Sequence, residues 1–115
     1  MSKQFFGQIG RIKPECIETY CRLHEVDIYT EQWAGIRQLI FDCNIRNYNI
    51  FIEGDVVFGY YEYVGDDYEA DMKKMADDPL NKEWWACTRP CFTKYNADSK
   101  EAFYSDMRQI FHLDG

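Results

Sequence analysis

The sequence predicts an α+β fold: one antiparallel sheet with helices on one face, in the split βαβ or ferredoxin-like arrangement. Three observations lead there. Alternating apolar and polar positions run through residues 4–12, 45–52, 56–64 and 103–113, the period of a strand. Helical spacing fills the intervals on either side of the middle pair. Glu53-Gly54-Asp55 is a tight-turn signal that makes that middle pair a hairpin. The order is strand, helices, strand, strand, helices, strand. Such a sheet leaves its other face uncovered, to be closed by a second copy of the chain or by a ligand.

Each element has its own signal. The first strand, Gln4 to Ile12, carries Phe5, Phe6, Ile9 and Ile12. Its Gly7 and Gly10 mark either a close approach to the backbone or a crowded packing position. Pro14 suits the first position of a helix, where its missing N–H costs nothing. That helix runs to His24 or Glu25, with Ile17, Tyr20, Cys21 and His24 on one inward face. After a break at residues 26–30, Thr30 is placed to cap a second helix over Glu31 to Asp42. Trp33, Ile36, Leu39 and Ile40 form its apolar stripe, and Asn44 tolerates the left-handed turn that ends it. In the next strand Tyr48 shares a face with Ile50 and Ile52, while Asn47, Asn49 and Phe51 point the other way. Gly65-Asp66-Asp67 ends the strand after the turn and caps a helix over Tyr68 to Ala76. Asp78 with Pro79 opens another over Leu80 to Phe92, kinked or ended near Arg89-Pro90. Residues 96–100 are a polar loop, and Phe103 to Leu113 is the last strand.

Composition narrows the function. A chain of 115 residues that is 46% hydrophobic fits one domain, residues 1–115, with a packed core. Nine tyrosines, eight phenylalanines and three tryptophans exceed what that core needs, so some should line a pocket or an interface. A net charge of −7 without a dense Lys/Arg cluster argues against nucleic acid and anionic membrane as partners. No apolar run has the length of a membrane span. Met1-Ser2-Lys3-Gln4 leads into a strand pattern, not into the apolar segment of a secretion signal. With five cysteines, an odd number, the expectation is reduced thiols in a cytoplasm. Cys87 and Cys91 are one helical turn apart, but no second pair completes a zinc site. No metal site is expected from them.

The residues that carry chemistry are Tyr20 and His24 on the first helix, Tyr48 on the second strand, and Trp84 and Trp85 on the late helix. Brought together, they offer one proton-transfer group, two hydroxyls and two flat apolar walls. Those parts suit a sugar: aromatic faces cover its C–H side and hydroxyls read its rim. Adjacent helical positions differ by about 100°, so one of the two tryptophans can equally be plain core, and Tyr48 can pack under the helices.

Tyr20-x3-His24, then Ile45-Arg46-Asn47-Tyr48-x-Ile50-Phe51, then Trp84-Trp85-Ala86 with Pro90 resemble the signature segments of the L-rhamnose mutarotase family. The terminal Ile110-Phe111-His112-Leu113 is similar too. The resemblance implies a homodimeric ferredoxin-like protein of the α/β-barrel type that interconverts the α and β anomers of a 6-deoxy sugar without metal or cofactor. It makes His24 the proton donor and Tyr20, Tyr48, Trp84 and Trp85 the substrate contacts. One departure stands out. The family's Trp-Pro-Glu stretch after the histidine is replaced here by Glu25-Val26-Asp27-Ile28-Tyr29-Thr30-Glu31-Gln32-Trp33, and the spacing to Tyr48 is longer. Two other functions fit the architecture: a non-catalytic sugar-binding domain, and a ferredoxin-like oxygenase.

Overall fold

The structure is a computed structural model that describes residues 3–100 and 102–114; Met1 and Ser2, read above as the lead into the first strand, lie outside the described residues. Strand β1 (Gln4–Ile12) is followed by helices α1 (Ile17–Glu25) and α2 (Ala34–Asp42). The hairpin β2 (Ile45–Glu53) and β3 (Val56–Tyr63) comes next, then α3 (Tyr68–Asp77) and α4 (Pro79–Thr88). Two short strands, β4 (Phe92–Thr93) and β5 (Ser105–Met107), close the sheet. The strand order is β2-β3-β1-β4, with β5 also paired to β1, and every pairing is antiparallel. This is the ferredoxin-like order the sequence predicts.

Register decides which side chains meet the helices. Phe6, Gln8 and Gly10 of β1 pair with Tyr61, Gly59 and Val57 of β3. Val57, Tyr61 and Tyr63 are buried against Tyr20 of α1, Ile40 of α2 and Tyr68, Met72 and Met75 of α3. Phe5 and Ile9 of β1 and Phe58 of β3 therefore lie on the opposite face, which no helix covers. Gly10 belongs to the crowded class. A Cβ there would stand 2.9 Å from the Phe92 ring, so glycine lets β4 seat its phenylalanine against β1.

The hairpin holds a correction. Strict alternation would place Ile45 opposite in sense to Tyr48, yet Ile45 is buried and pairs with Tyr63. The pairing slips between Arg46 and Asn49, and Asn47 takes a left-handed φ of 52°, which asparagine accepts more readily than most residues. This bulge adds one residue to β2 and lets Ile45, Tyr48, Ile50 and Ile52 share the helix-covered face. The Asn47 amide donates to Glu62 Oε1 at 3.0 Å on the other face. Asn44, φ 68°, makes the left-handed turn expected of it.

Helix ends follow the sequence in most places. Asp67 accepts from the Ala70 N–H and Asp78 from the Asn81 N–H, each worth about 1 kcal/mol. Pro14 opens a 3₁₀ turn, Pro14–Cys16, ahead of α1, and Arg89–Cys91 forms another that ends α4. Thr30 does not cap. Its hydroxyl donates to the Asp27 carbonyl, and Glu31–Trp33 is a 3₁₀ turn before α2. The inward face of α1 also extends to Leu23, which is buried beside Trp33, Ile36 and Trp84.

The last strand departs most from expectation. Only Ser105–Met107 pairs with β1, while Ile110, Phe111 and Leu113 are 83, 78 and 77% exposed. Past Met107 the segment leaves the edge of β1, which itself continues to Gln4, so alternation in sequence does not become a ladder. His112 lies back against Phe5, with ring centroids 4.1 Å apart, which sets this tail along the uncovered face. Among the described residues no helix is long and apolar enough to cross a membrane.

Candidate active site

Between the helices and the covered face of the sheet lies a cavity of about 790 Å³. Tyr20, His24, Tyr48, Trp84 and Trp85 all line it, so the five residues singled out from three separate stretches of sequence converge on one hollow. Helix α1 delivers Tyr20 and His24 one turn apart, and their rings tilt against each other at 4.5 Å. Helix α4 delivers Trp84, whose edge meets His24 at 5.4 Å and Trp33 at 5.1 Å. Strand β2 brings Tyr48 over Tyr61, 5.3 Å between centroids.

The imidazole has a defined tautomer. His24 Nδ1 lies 2.9 Å from the backbone carbonyl oxygen of Tyr20. A carbonyl only accepts, so Nδ1 carries the proton and donates. In the neutral ring, Nε2 is then the nitrogen with a lone pair. Burial lowers the histidine's pKa below its ordinary 6.5, and the bond to the Tyr20 carbonyl pulls weakly the other way. At neutral pH the ring is a base.

The phenols behave differently. Burial, reinforced by neighbouring phenols, pushes the Tyr20 hydroxyl far up, and burial does the same to Tyr48. Tyr48 as a residue is 39% exposed, so it is the hydroxyl end that is shielded. Both phenols keep their protons at any physiological pH and act as hydrogen-bonding groups.

The two tryptophans divide as helical geometry requires. Trp84 is buried, packed on Trp33, Leu23 and Ile36. Trp85 is half-buried, with the Arg89 guanidinium 3.9 Å above its ring. Both still reach the cavity, Trp84 as core and wall together. The stretch that replaces the Trp-Pro-Glu segment forms two 3₁₀ turns, Asp27–Tyr29 and Glu31–Trp33. Glu25, Ile28 and Tyr29 stand on the cavity wall there.

Sequence reasoning missed several lining groups. Tyr104 hydrogen-bonds Tyr20, hydroxyl to hydroxyl, at 3.1 Å. It precedes β5 in a segment whose alternation reads as plain strand, so nothing marked it. Gln8 lines the cavity and donates to Asp106 at 2.8 Å. Its position in β1 was legible once the covered face was known. Asn49, set aside on alternation, also contributes to the wall, although its amide donates to the Asn47 carbonyl. No group of three or more His, Cys, Asp or Glu side chains stands together among the described residues.

Comparison with known proteins bears on this cavity. The model of the L-rhamnose mutarotase family matches residues 6–113. The chain belongs to the L-rhamnose mutarotase family. It is accordingly a sugar mutarotase, an isomerase. Among relatives, an L-rhamnose mutarotase of Oceanobacillus iheyensis is 27% identical over 110 residues, 94% of this chain and 96% of the relative. Another from Lachnoclostridium phytofermentans is 30% identical over 88 residues, 75% of this chain and 80% of the relative. In fold, the chain resembles the crystal structure of an L-rhamnose mutarotase from Formosa agariphila, with TM-score 0.68 at 16% identity, over 96% of this chain and 99% of that one. It also resembles tetracenomycin F2 cyclase, a type II polyketide cyclase from Streptomyces glaucescens, with TM-score 0.62 at 17% identity, over 96% and 99% of the two chains. One architecture thus carries unrelated chemistries, and it is the family match that selects mutarotation over the oxygenase and binding-domain readings.

Proposed function

We propose that the cavity binds L-rhamnose or a close 6-deoxy relative, with His24 as the proton-transfer residue and Tyr20, Tyr48, Trp84 and Trp85 as substrate contacts. The observation that carries this is the neutral His24, held by its Nδ1–H on the Tyr20 carbonyl and lining the same hollow as the two indoles. Ring opening removes the proton from the anomeric hydroxyl, breaks the bond from C1 to the ring oxygen, and puts a proton on that oxygen. His24 Nε2 takes the first proton, and a solvent water gives the ring oxygen the second and takes a proton back from it when the ring closes. After rotation about C1–C2, the resulting imidazolium gives it back as the ring closes on the other carbonyl face, which is the donor role that the resemblance implies. Help of this kind is worth about 10²–10⁴-fold, enough for a reaction that water alone already permits. The indoles cover the C–H face and the 6-methyl group, while the protonated phenols read hydroxyls.

The same reading makes the chain, residues 1–115, one domain that works as a cytoplasmic homodimer. Five free cysteines suit a reducing compartment. Phe51, Met107 and the tail residues Ile110, Phe111 and Leu113 are exposed on or beside the uncovered sheet face. Two such faces packed together bury an apolar layer and close the sheets into an α/β barrel.

Saturation-transfer NMR on mixed anomers of rhamnose, fucose and their epimers tests the activity. Faster exchange of rhamnose anomers with protein than without is expected. Exchange unchanged for every 6-deoxy sugar would remove the proposal.

A further inference from the structure

We infer that Tyr104 is a positioning residue of the sugar site: its hydroxyl fixes the Tyr20 hydroxyl, and the two phenols together read a pair of adjacent sugar hydroxyls. This rests on the mutarotase reading of the cavity and goes beyond the five contacts assigned to it.

The geometry is specific. Tyr20 and Tyr104 approach hydroxyl to hydroxyl at 3.1 Å, from segments at opposite ends of the chain. A phenol has one proton to give and lone pairs to accept with. In such a pair one hydroxyl donates to the other, and the acceptor keeps its own O–H free. The pair therefore shows the cavity one donor and one acceptor side by side, the complement of a vicinal diol. Burial holds both phenols protonated, so the pair binds without taking part in proton transfer. The Tyr104 ring is fixed on two sides. It lies over Gly59, where an added Cβ would just touch it at 3.5 Å, and edge-on to Phe92 at 5.1 Å. What Tyr104 steadies matters for the base as well, because the main chain of Tyr20 accepts the His24 Nδ1–H and its ring tilts against the imidazole.

Tyr104→Phe keeps the ring and removes only the hydroxyl. The test measures Kd for L-rhamnose by tryptophan fluorescence, together with KM and kcat for anomer exchange, in the parent, Tyr104→Phe, Tyr20→Phe and the double variant. Kd and KM in Tyr104→Phe should rise about ten-fold, the loss of one hydrogen-bonded hydroxyl, with kcat within about two-fold. The double variant should bind worse than either single variant but by less than the product of their two effects, since each phenol meets the sugar and also holds the other. Parent-like Kd in Tyr104→Phe, or a rise that adds in full to that of Tyr20→Phe, would overturn the inference. A parent that exchanges no 6-deoxy sugar would instead overturn the mutarotase reading itself, so the two failures are told apart.

Discussion

The side of the sheet under the helices and the side left open are built from the same strands, yet their side chains serve different ends. Under the helices sit phenols, an imidazole and amides, nearly all hydrogen-bonded: Tyr20 to Tyr104, Tyr61 to Tyr68, Tyr63 to Asp71, Gln8 to Asp106. On the open side sit Phe5, Ile9, Phe51, Phe58 and Met107, with the apolar tail alongside and a polar corner of Asn47, Tyr60 and Glu62 at one end. Polar groups in a half-dry hollow are kept only where each finds a partner, because an orphaned one costs about 1–3 kcal/mol. Flat apolar surface needs no such pairing and is stabilised by being covered. The proposed sugar site and the proposed contact between copies thus fall on opposite sides of the sheet.

The contrast can be broken from either side. The largest effect should come from His24→Ala, which should lower the anomer exchange rate by about 10²–10⁴-fold while the melting temperature moves little; parent-like exchange would take the base role from His24. Next, Trp84→Ala should cost about 3–5 kcal/mol of stability in denaturant titration, because it empties a buried site. Trp85→Ala, only half-buried, should instead appear mainly in KM. Equal stability losses in the two would erase the distinction between core wall and binding wall. On the open side, Phe58→Glu should turn the proposed dimer into monomer in light scattering, because it would set like charges at the proposed contact; an unchanged mass would take the contact away from this face. Residual exchange by that monomer would show the two faces to be separable.

Two smaller effects sharpen the picture. The His24 pKa lies below 6.5 in the folded chain, so the neutral base is present at neutral pH and is lost as pH falls through that lowered value. Exchange should therefore be flat above neutrality and decline on the acid side of pH 6.5; a decline with rising pH instead would make imidazolium the working form. The unfolded chain also binds that proton more readily, so folding stability from this group falls as pH drops below 6.5. Last, Asp78→Ala should cost about 1 kcal/mol through loss of the cap on α4, with KM rising slightly because the helix carries both indoles.

Much of this was legible in the sequence because local and global signals agree. Pro14, Asp67, Asp78 and Pro79 set helix starts by backbone chemistry alone, and Tyr20-x3-His24 fixes one helical face whatever surrounds it. The order of elements then determined the strand order. Less legible was anything set by a partner distant along the chain. Alternation over residues 103–113 matched a strand, but a strand needs hydrogen bonds to a neighbour, and of this segment only Ser105–Met107 stays on the edge of β1. Tyr104 acquires its place from Tyr20, 84 positions away, and no local pattern encodes such a meeting. Thr30 had the chemistry of a cap but found the Asp27 carbonyl first.

The surplus residue at Asn47 makes the length of β2 a matter of phase. Straightening the strand with every residue kept would force a choice, with either Ile45 or Tyr48 turned to the wrong side. The hollow would lose a wall or the core a plug. Deleting Asn47 itself removes the surplus with both side chains still in phase, so that variant should stay active, and trimming the polar loop over residues 96–100 should go unnoticed too.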